Sequence, residues 1–148
     1  MGNKIIVYHN SRCSKSRCAL AYLDDKKVEY EIVEYLKDVP TKDELTNIIK
    51  MLGILPEGLV RKGEPDFKEN FKGRELTNNE WIEAMIQYPK LIERPIVIKN
   101  NKAVIARPTE RIDELVWDFY RNLRLFERKQ YICARLKKAK WLWVWKLY

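Results

Sequence analysis

Strand-forming runs in this chain stand at two places, separated by a long stretch that reads as helix and loop. "KIIVYH" (4–9) is short, β-branched and stopped by Asn10-Ser11. "VEYEIVEYL" (28–36) sets Val28, Tyr30 and Ile32 between acids, the alternation of a half-buried strand. Two apolar runs then flank Asn100-Asn101 in "RPIVIKNNKAVIAR" (94–107), a hairpin signal. Between the first two runs, "SKSRCALAYLDDK" (14–26) reads as a helix with Leu20 and Leu23 on one side. The order is therefore β-α-β, helices, β-β-α, the plan of an α/β thioredoxin-like fold: a four-stranded mixed sheet with a helical insert at about 41–89. Ferredoxin-like folds share similar pieces, so element order alone does not decide.

The insert carries the clearest local signals. Thr41 and Glu44 form a capping-box pattern before Leu45, Ile48, Ile49 and Leu52, and Gly53 is a natural stop. "TNNEWIEAMIQYP" (77–89) repeats the Thr-x-x-Glu start and ends at Pro89. Residues 54–73, punctuated by Pro and Gly, read as loop with short turns. Thr109 is placed to cap a last helix with Ile112, Leu115, Val116 and Phe119 on one face.

Length suggests one compact domain, here 1–117, followed by an extension, 118–148. The net charge of +8 lies almost wholly in that extension, which has nine Lys or Arg against Asp118 and Glu127. The body is nearly neutral, so the charge does not mark it as a nucleic-acid binder. Nor does the body contain an apolar run long enough to cross a membrane. The basic, Trp-rich end has the composition of a membrane-surface or nucleic-acid contact. It reads more simply as a segment that packs on the body or on a second subunit, or as sequence without a selected role. Three cysteines without framework spacing, and no secretory leader, point to a reducing, cytoplasmic location.

One loop gathers the reactive residues. "YHNSRCSKSRC" (8–18) holds the single histidine, His9, two of the three cysteines, Cys13 and Cys18, and the basic Arg12, Lys15 and Arg17. Cys13 falls at the cap or first turn of a helix, where free N–H groups and the dipole favour a thiolate. The same N–H groups suit a tetrahedral oxyanion. His9 either helps set the charge of Cys13 or simply hydrogen-bonds the loop. Metal binding is disfavoured, since one His and two nearby Cys give at most three ligands at the wrong spacing. Within a helix Cys13 and Cys18 stand roughly 8 to 9 Å apart, beyond the reach of about 7 Å for a disulfide. Cys18 is expected to be a small buried core residue beside Ala19 and Leu20, and any redox chemistry to use one thiol.

Four segments carry a family resemblance. "YHNSRCSKSR" is similar to the His-Asn-x-x-Cys-x-x-Ser-Arg loop of the ArsC-type arsenate reductase family. "LVRKGEP" (59–65), "PKLIERPIVI" (89–98) and "ARPTE" (106–110) resemble its later motifs, in order. The resemblance implies Cys13 as nucleophile, His9 as the residue that tunes it, and Arg61, Arg94 and Arg107 as the arginines that hold arsenate. Asn10, Ser16 and Arg17 fall on motif positions and Pro95 on the family's cis-proline; these four are implied to be structural residues near the site. It implies reduction of arsenate to arsenite with no metal or bound organic cofactor, and with glutathione and glutaredoxin as external reductants. The chain departs from the family at Ser11, where many members have proline, and in the basic Ser14-Lys15, which resembles an arsenate reductase-like branch. Two alternatives remain: an Spx-like redox-responsive regulator of RNA polymerase, against which Ser16 in place of a second cysteine argues, and a glutathione-dependent thiol transferase without arsenate activity.

Overall fold

The computed structural model describes residues 4–116. Four strands form one mixed sheet: β1 (Ile5–Tyr8), β2 (Tyr30–Val33), β3 (Ile96–Lys99) and β4 (Lys102–Ile105), in the order β2-β1-β3-β4. Helix α1 (Ser14–Asp25) connects β1 to its parallel neighbour β2, as a parallel pair requires. β3 and β4 form the hairpin expected at Asn100-Asn101, with Asn100 taking the positive φ of 54° that its turn position demands. This is the thioredoxin-like α/β plan, with α2 (Lys42–Leu52), α3 (Pro65–Asn70) and α4 (Asn78–Gln87) inserted between the halves.

Both long insert helices start as their sequences predict. Thr41 and Thr77 each accept from the backbone of Glu44 and Glu80, and each glutamate reaches back to the cap residue. Gly53 ends α2 in the left-handed conformation, φ 66°. Leu45, Ile48 and Ile49 of α2 and Trp81, Ile82 and Met85 of α4 share one core with Ile96, Ile98 and Ala103 of the sheet. Side chains alternate along a strand, so Val97 and Val104, also buried, face the other side.

Four expectations need correction. The segment 54–73 contains a helix, α3, which starts at Pro65, a residue well suited to a first helical position. Ile32 is 45% exposed rather than half-buried, because β2 is an edge strand that ends at Val33. Cys18 is exposed, since the buried face of α1 is Ser16, Ala19 and Leu23, and a residue two after Ser16 projects from the opposite side. The residue that caps the turn at Thr109–Ile112 is Pro108, not Thr109; helical backbone continues from there to 116, and Phe119 lies outside the described residues.

The register decides where the chemistry collects. β1 and β3 run antiparallel with Tyr8 opposite Ile96, so the loop leaving β1 lies beside the residues entering β3, Arg94 and Pro95. β3 and β4 pair Ile96 with Ile105, which puts Ala106 and Arg107 at the same end. A separate bridge between Val60 and Ile92 brings Arg61 there too. Its flanks are hydrogen-bonded, Arg61 N–H to Leu91 O at 2.7 Å and Glu93 N–H to Leu59 O at 2.9 Å. The compact unit ends at Leu115. The basic extension, including Cys133, lies outside the described residues.

Candidate active site

Cys13 is the N-cap residue of α1, with extended φ −94° and ψ 120°. The loop before it is held by Asn10, whose carbonyl accepts from Cys13 N–H and whose side chain accepts from Arg12 N–H, both at 2.9 Å. Arg17 closes the loop from the other side, donating from Nη1 to Ser11 O at 2.8 Å. Asn10 and Arg17 thus shape the loop, and in this conformation Arg17 spends a donor on backbone.

Burial pushes the Cys13 thiol up, but opposing donors outweigh it. The Ser16 N–H, the Arg94 guanidinium, the Ser16 hydroxyl and the Lys15 N–H together hold the thiol down, from 9.0 to about 7. At pH 7 that makes about half of Cys13 thiolate, against about 1% for a thiol at 9.0. The basic side chains of the loop are not the main source of this effect. Lys15 acts through its backbone, and the principal charge comes from Arg94, 81 positions later in the chain.

The three predicted arginines converge, though not equally. Arg94 is 8% exposed and faces Cys13 directly. Its Nη1 donates to Lys90 O and its Nη2 to Glu64 Oε1, both at 2.9 Å. Arg61 pairs with the same carboxylate oxygen, Nε to Oε1 at 3.1 Å. Arg107 donates from Nε to Arg94 O at 2.8 Å and lies 3.5 Å from Glu93 Oε2. Arg61 and Arg107 therefore join the site through Glu64 and through the backbone of Arg94. The Arg94–Pro95 bond is cis, at the start of β3 as the resemblance implies; the Arg107–Pro108 bond is cis as well.

His9 is 6% exposed at the end of β1, where its backbone N–H donates to Val33 O at 2.9 Å. Burial lowers its pKa, with Arg17 in the same direction; Glu34 and the Ser16 backbone act against that. It is therefore a neutral imidazole at pH 7, and the donors that hold Cys13 down come from Ser16, Arg94 and Lys15.

Several buried polar atoms at this end of the sheet make no hydrogen bond of good geometry within the described protein: Ser16 Oγ, Tyr35 OH, Arg61 Nη1, Arg94 Nε, Glu93 Oε2 and His9 Nδ1. Native interiors rarely leave such groups unmet, and where they do a ligand or water usually completes them. Four of the six can donate; those on Ser16, Arg94 and Tyr35 belong to residues that interact with Cys13, and Arg61 joins through Glu64. The arrangement pairs a half-ionised thiol with buried donors whose hydrogen-bonding capacity is not filled, which suits a multiply charged, oxygen-rich anion. No group of three or more His, Cys, Asp or Glu suited to a metal occurs among the described residues.

Sequence reasoning did not assign Glu64, Glu93 or Tyr35. Glu64 stands inside "LVRKGEP", at the cap of α3, and its position before a proline was a readable signal. Tyr35 was read as part of a strand, yet it follows β2 and is fully buried.

A cysteine at the N-terminus of the first helix of a thioredoxin-like fold, with Arg94 facing it, defines the class. The sequence model of the ArsC family matches residues 8–115, and the chain belongs to that family. It is 42% identical to the uncharacterized protein YfgD of Escherichia coli, over 78% of this chain and 99% of that one. It is 37% identical to an arsenate reductase of Neisseria meningitidis, over 76% of this chain and 98% of the relative. Among solved structures, an arsenate reductase from Vibrio cholerae superposes with a TM-score of 0.73 at 35% identity, covering 78% of this chain and 99% of that one.

Proposed function

We propose that this chain is a thiol-dependent arsenate reductase that uses Cys13 as its single nucleophile and glutathione with glutaredoxin as reductant. The observation that carries the reading is the depressed thiol of Cys13 set among buried donors whose hydrogen-bonding capacity is not filled. Relatives named arsenate reductase, matched over nearly their whole length, support the choice of substrate.

In this reading arsenate lies against Arg94 and Cys13, with Arg61 and Arg107 adding charge at its edge. The Cys13 thiolate attacks arsenic and displaces one oxygen as water, giving a cysteine-bound As(V) species. Fixed guanidinium groups stabilise the charge on the remaining oxygens. A glutathione thiolate then attacks the Cys13 sulfur. The sulfur–arsenic electron pair stays with arsenic, which leaves as arsenite, and Cys13 is left in a mixed disulfide. A second glutathione, through glutaredoxin, frees Cys13 and forms glutathione disulfide. Overall, two thiols are oxidised, arsenic gains two electrons and one water is released. Such a cycle belongs in a reducing, glutathione-containing compartment such as the cytoplasm.

Ser16 favours this one-thiol cycle over an intramolecular disulfide: it takes the place three after Cys13 and is fully buried against the loop. The test is arsenate-dependent oxidation of glutathione in a glutaredoxin-coupled assay. Turnover by the wild type and its loss in Cys13→Ser are expected. Wild-type reduction of a small mixed disulfide without any arsenate turnover would replace the reading with a thiol transferase.

A further inference from the structure

We propose that Tyr35 is an anion-binding residue of this site, its hydroxyl donating a hydrogen bond to an oxygen of a tetrahedral oxyanion held against Cys13 and Arg94. The proposal rests on the reading above for the place of the anion, and adds a ligand to it.

Tyr35 is fully buried. Its ring belongs to the core that includes Leu45, Ile49 and Ile96, which fixes the direction of the hydroxyl. Among the described residues that hydroxyl makes no hydrogen bond of good geometry; the Arg94 and Asn10 side chains approach its oxygen as donors, and Cys13 is near enough to act on its ionisation. Burying a hydroxyl without a partner costs on the order of 1 to 3 kcal/mol. A phenylalanine would fill the same core space without that cost. Of the neighbours, Arg94 can only donate, and Asn10 Oδ1 accepts from Arg12 N–H at 2.9 Å while taking no hydrogen bond from Tyr35. Arg94 Nε, also unmet, stands in the same region. Two donors of unfilled capacity beside a nucleophilic sulfur are complementary to one ligand with several negative oxygens. Burial raises the Tyr35 pKa above its ordinary 10.0, so the group remains a donor throughout the pH range in which Cys13 ionises.

The test is Tyr35→Phe, followed by calorimetric titration with arsenate and with phosphate, and by thermal melts with and without each anion. Loss of a hydrogen bond to a charged acceptor is expected to weaken anion binding by about tenfold or more. The anion-free variant is expected to melt no lower than wild type, because an unmet buried hydroxyl has been removed. The wild type should also show a tyrosine near-UV difference band on anion binding that Tyr35→Phe lacks. Equal affinities for wild type and variant, a lower melting point of the variant without anion, or no difference band in the wild type would overturn the proposal. A wild type that binds arsenate in a Tyr35-dependent way but never reduces it would refute the reductase reading and uphold Tyr35. A wild type that binds neither anion would overturn both.

Discussion

Cys13 should titrate near neutrality, and Arg94 should be a main reason. Its thiol lies at about 7 against an ordinary 9.0, after burial has pushed it the other way. Replacing Arg94 by methionine keeps much of the apolar volume and removes the guanidinium. The Ser16 and Lys15 N–H groups and the Ser16 hydroxyl remain, so the thiol should move up toward 9.0 without reaching it. A rise of one unit would lower the thiolate fraction at pH 7 from about half to about a tenth, a fivefold slower reaction if the nucleophilicity of the thiolate is unchanged. The assay is the rate of iodoacetamide alkylation between pH 5 and 10, read on the Cys13 peptide by mass spectrometry. Peptide resolution is essential, because Cys18 is exposed and accessible to the reagent. A wild-type midpoint near 9 would refute the depressed thiol. A wild-type midpoint near 7 that Arg94→Met leaves in place would assign the effect to the Ser16 and Lys15 donors without Arg94.

Further outcomes follow from the same geometry. A thiol depressed in the folded state stabilises the fold fully above its unfolded value, and the gain is lost as pH falls through the folded value; chemical denaturation should therefore show stability rising between about pH 7 and 9, and Cys13→Ser should remove that part of the rise. Glu64→Gln takes the charge from a carboxylate shared by Arg61 and Arg94, so the anion-free protein should melt lower and regain more stability than wild type on adding phosphate. Thr41→Ala and Thr77→Ala should each cost about 1 kcal/mol of unfolding free energy, measured in urea, without changing Cys13 reactivity. Cys18→Ser should leave arsenate turnover intact, because Cys18 projects from the exposed side of α1.

The parts of the fold that were legible in the sequence are those whose cause is local. A capping box is decided by two residues three apart, and a hairpin by two residues between apolar runs, so Thr41, Thr77 and Asn100 could be read without knowing what packs on them. Burial is not local in that sense. Periodicity was sought among the apolar residues of α1, and Leu20 and Leu23 drew the reading. The face that packs inward is led by Ser16, a serine carried into the interior because it serves the neighbouring sulfur. Once a polar residue holds the inward position, Cys18 is forced outward. Ile32 fails for a related reason: alternation says which residues share a face, while only strand order shows that β2 lies at the edge.

For the site, the same distinction separates Cys13 from its partners. The helix N-terminus that favours its thiolate is visible within a few residues, and so is the loop that Asn10 holds. What completes the site comes from afar. Arg94 is 81 positions away from Cys13, and Glu64 meets Arg94 across 30 positions. The arginines could be picked out by resemblance, but no single-chain pattern says which one reaches the sulfur. That is settled by the register of β1 on β3, which sets Tyr8 opposite Ile96 and so puts Arg94 at the mouth of the Cys13 loop. A shift of β3 by one residue would turn Ile96 and Ile98 away from the core they share with α2 and α4. The hydrophobic pattern of β3 that stabilises the sheet is thus also what holds the guanidinium beside the thiolate. A core substitution such as Ile98→Asp, far from the reacting atoms, should accordingly raise the Cys13 midpoint in whatever fraction of the protein still folds.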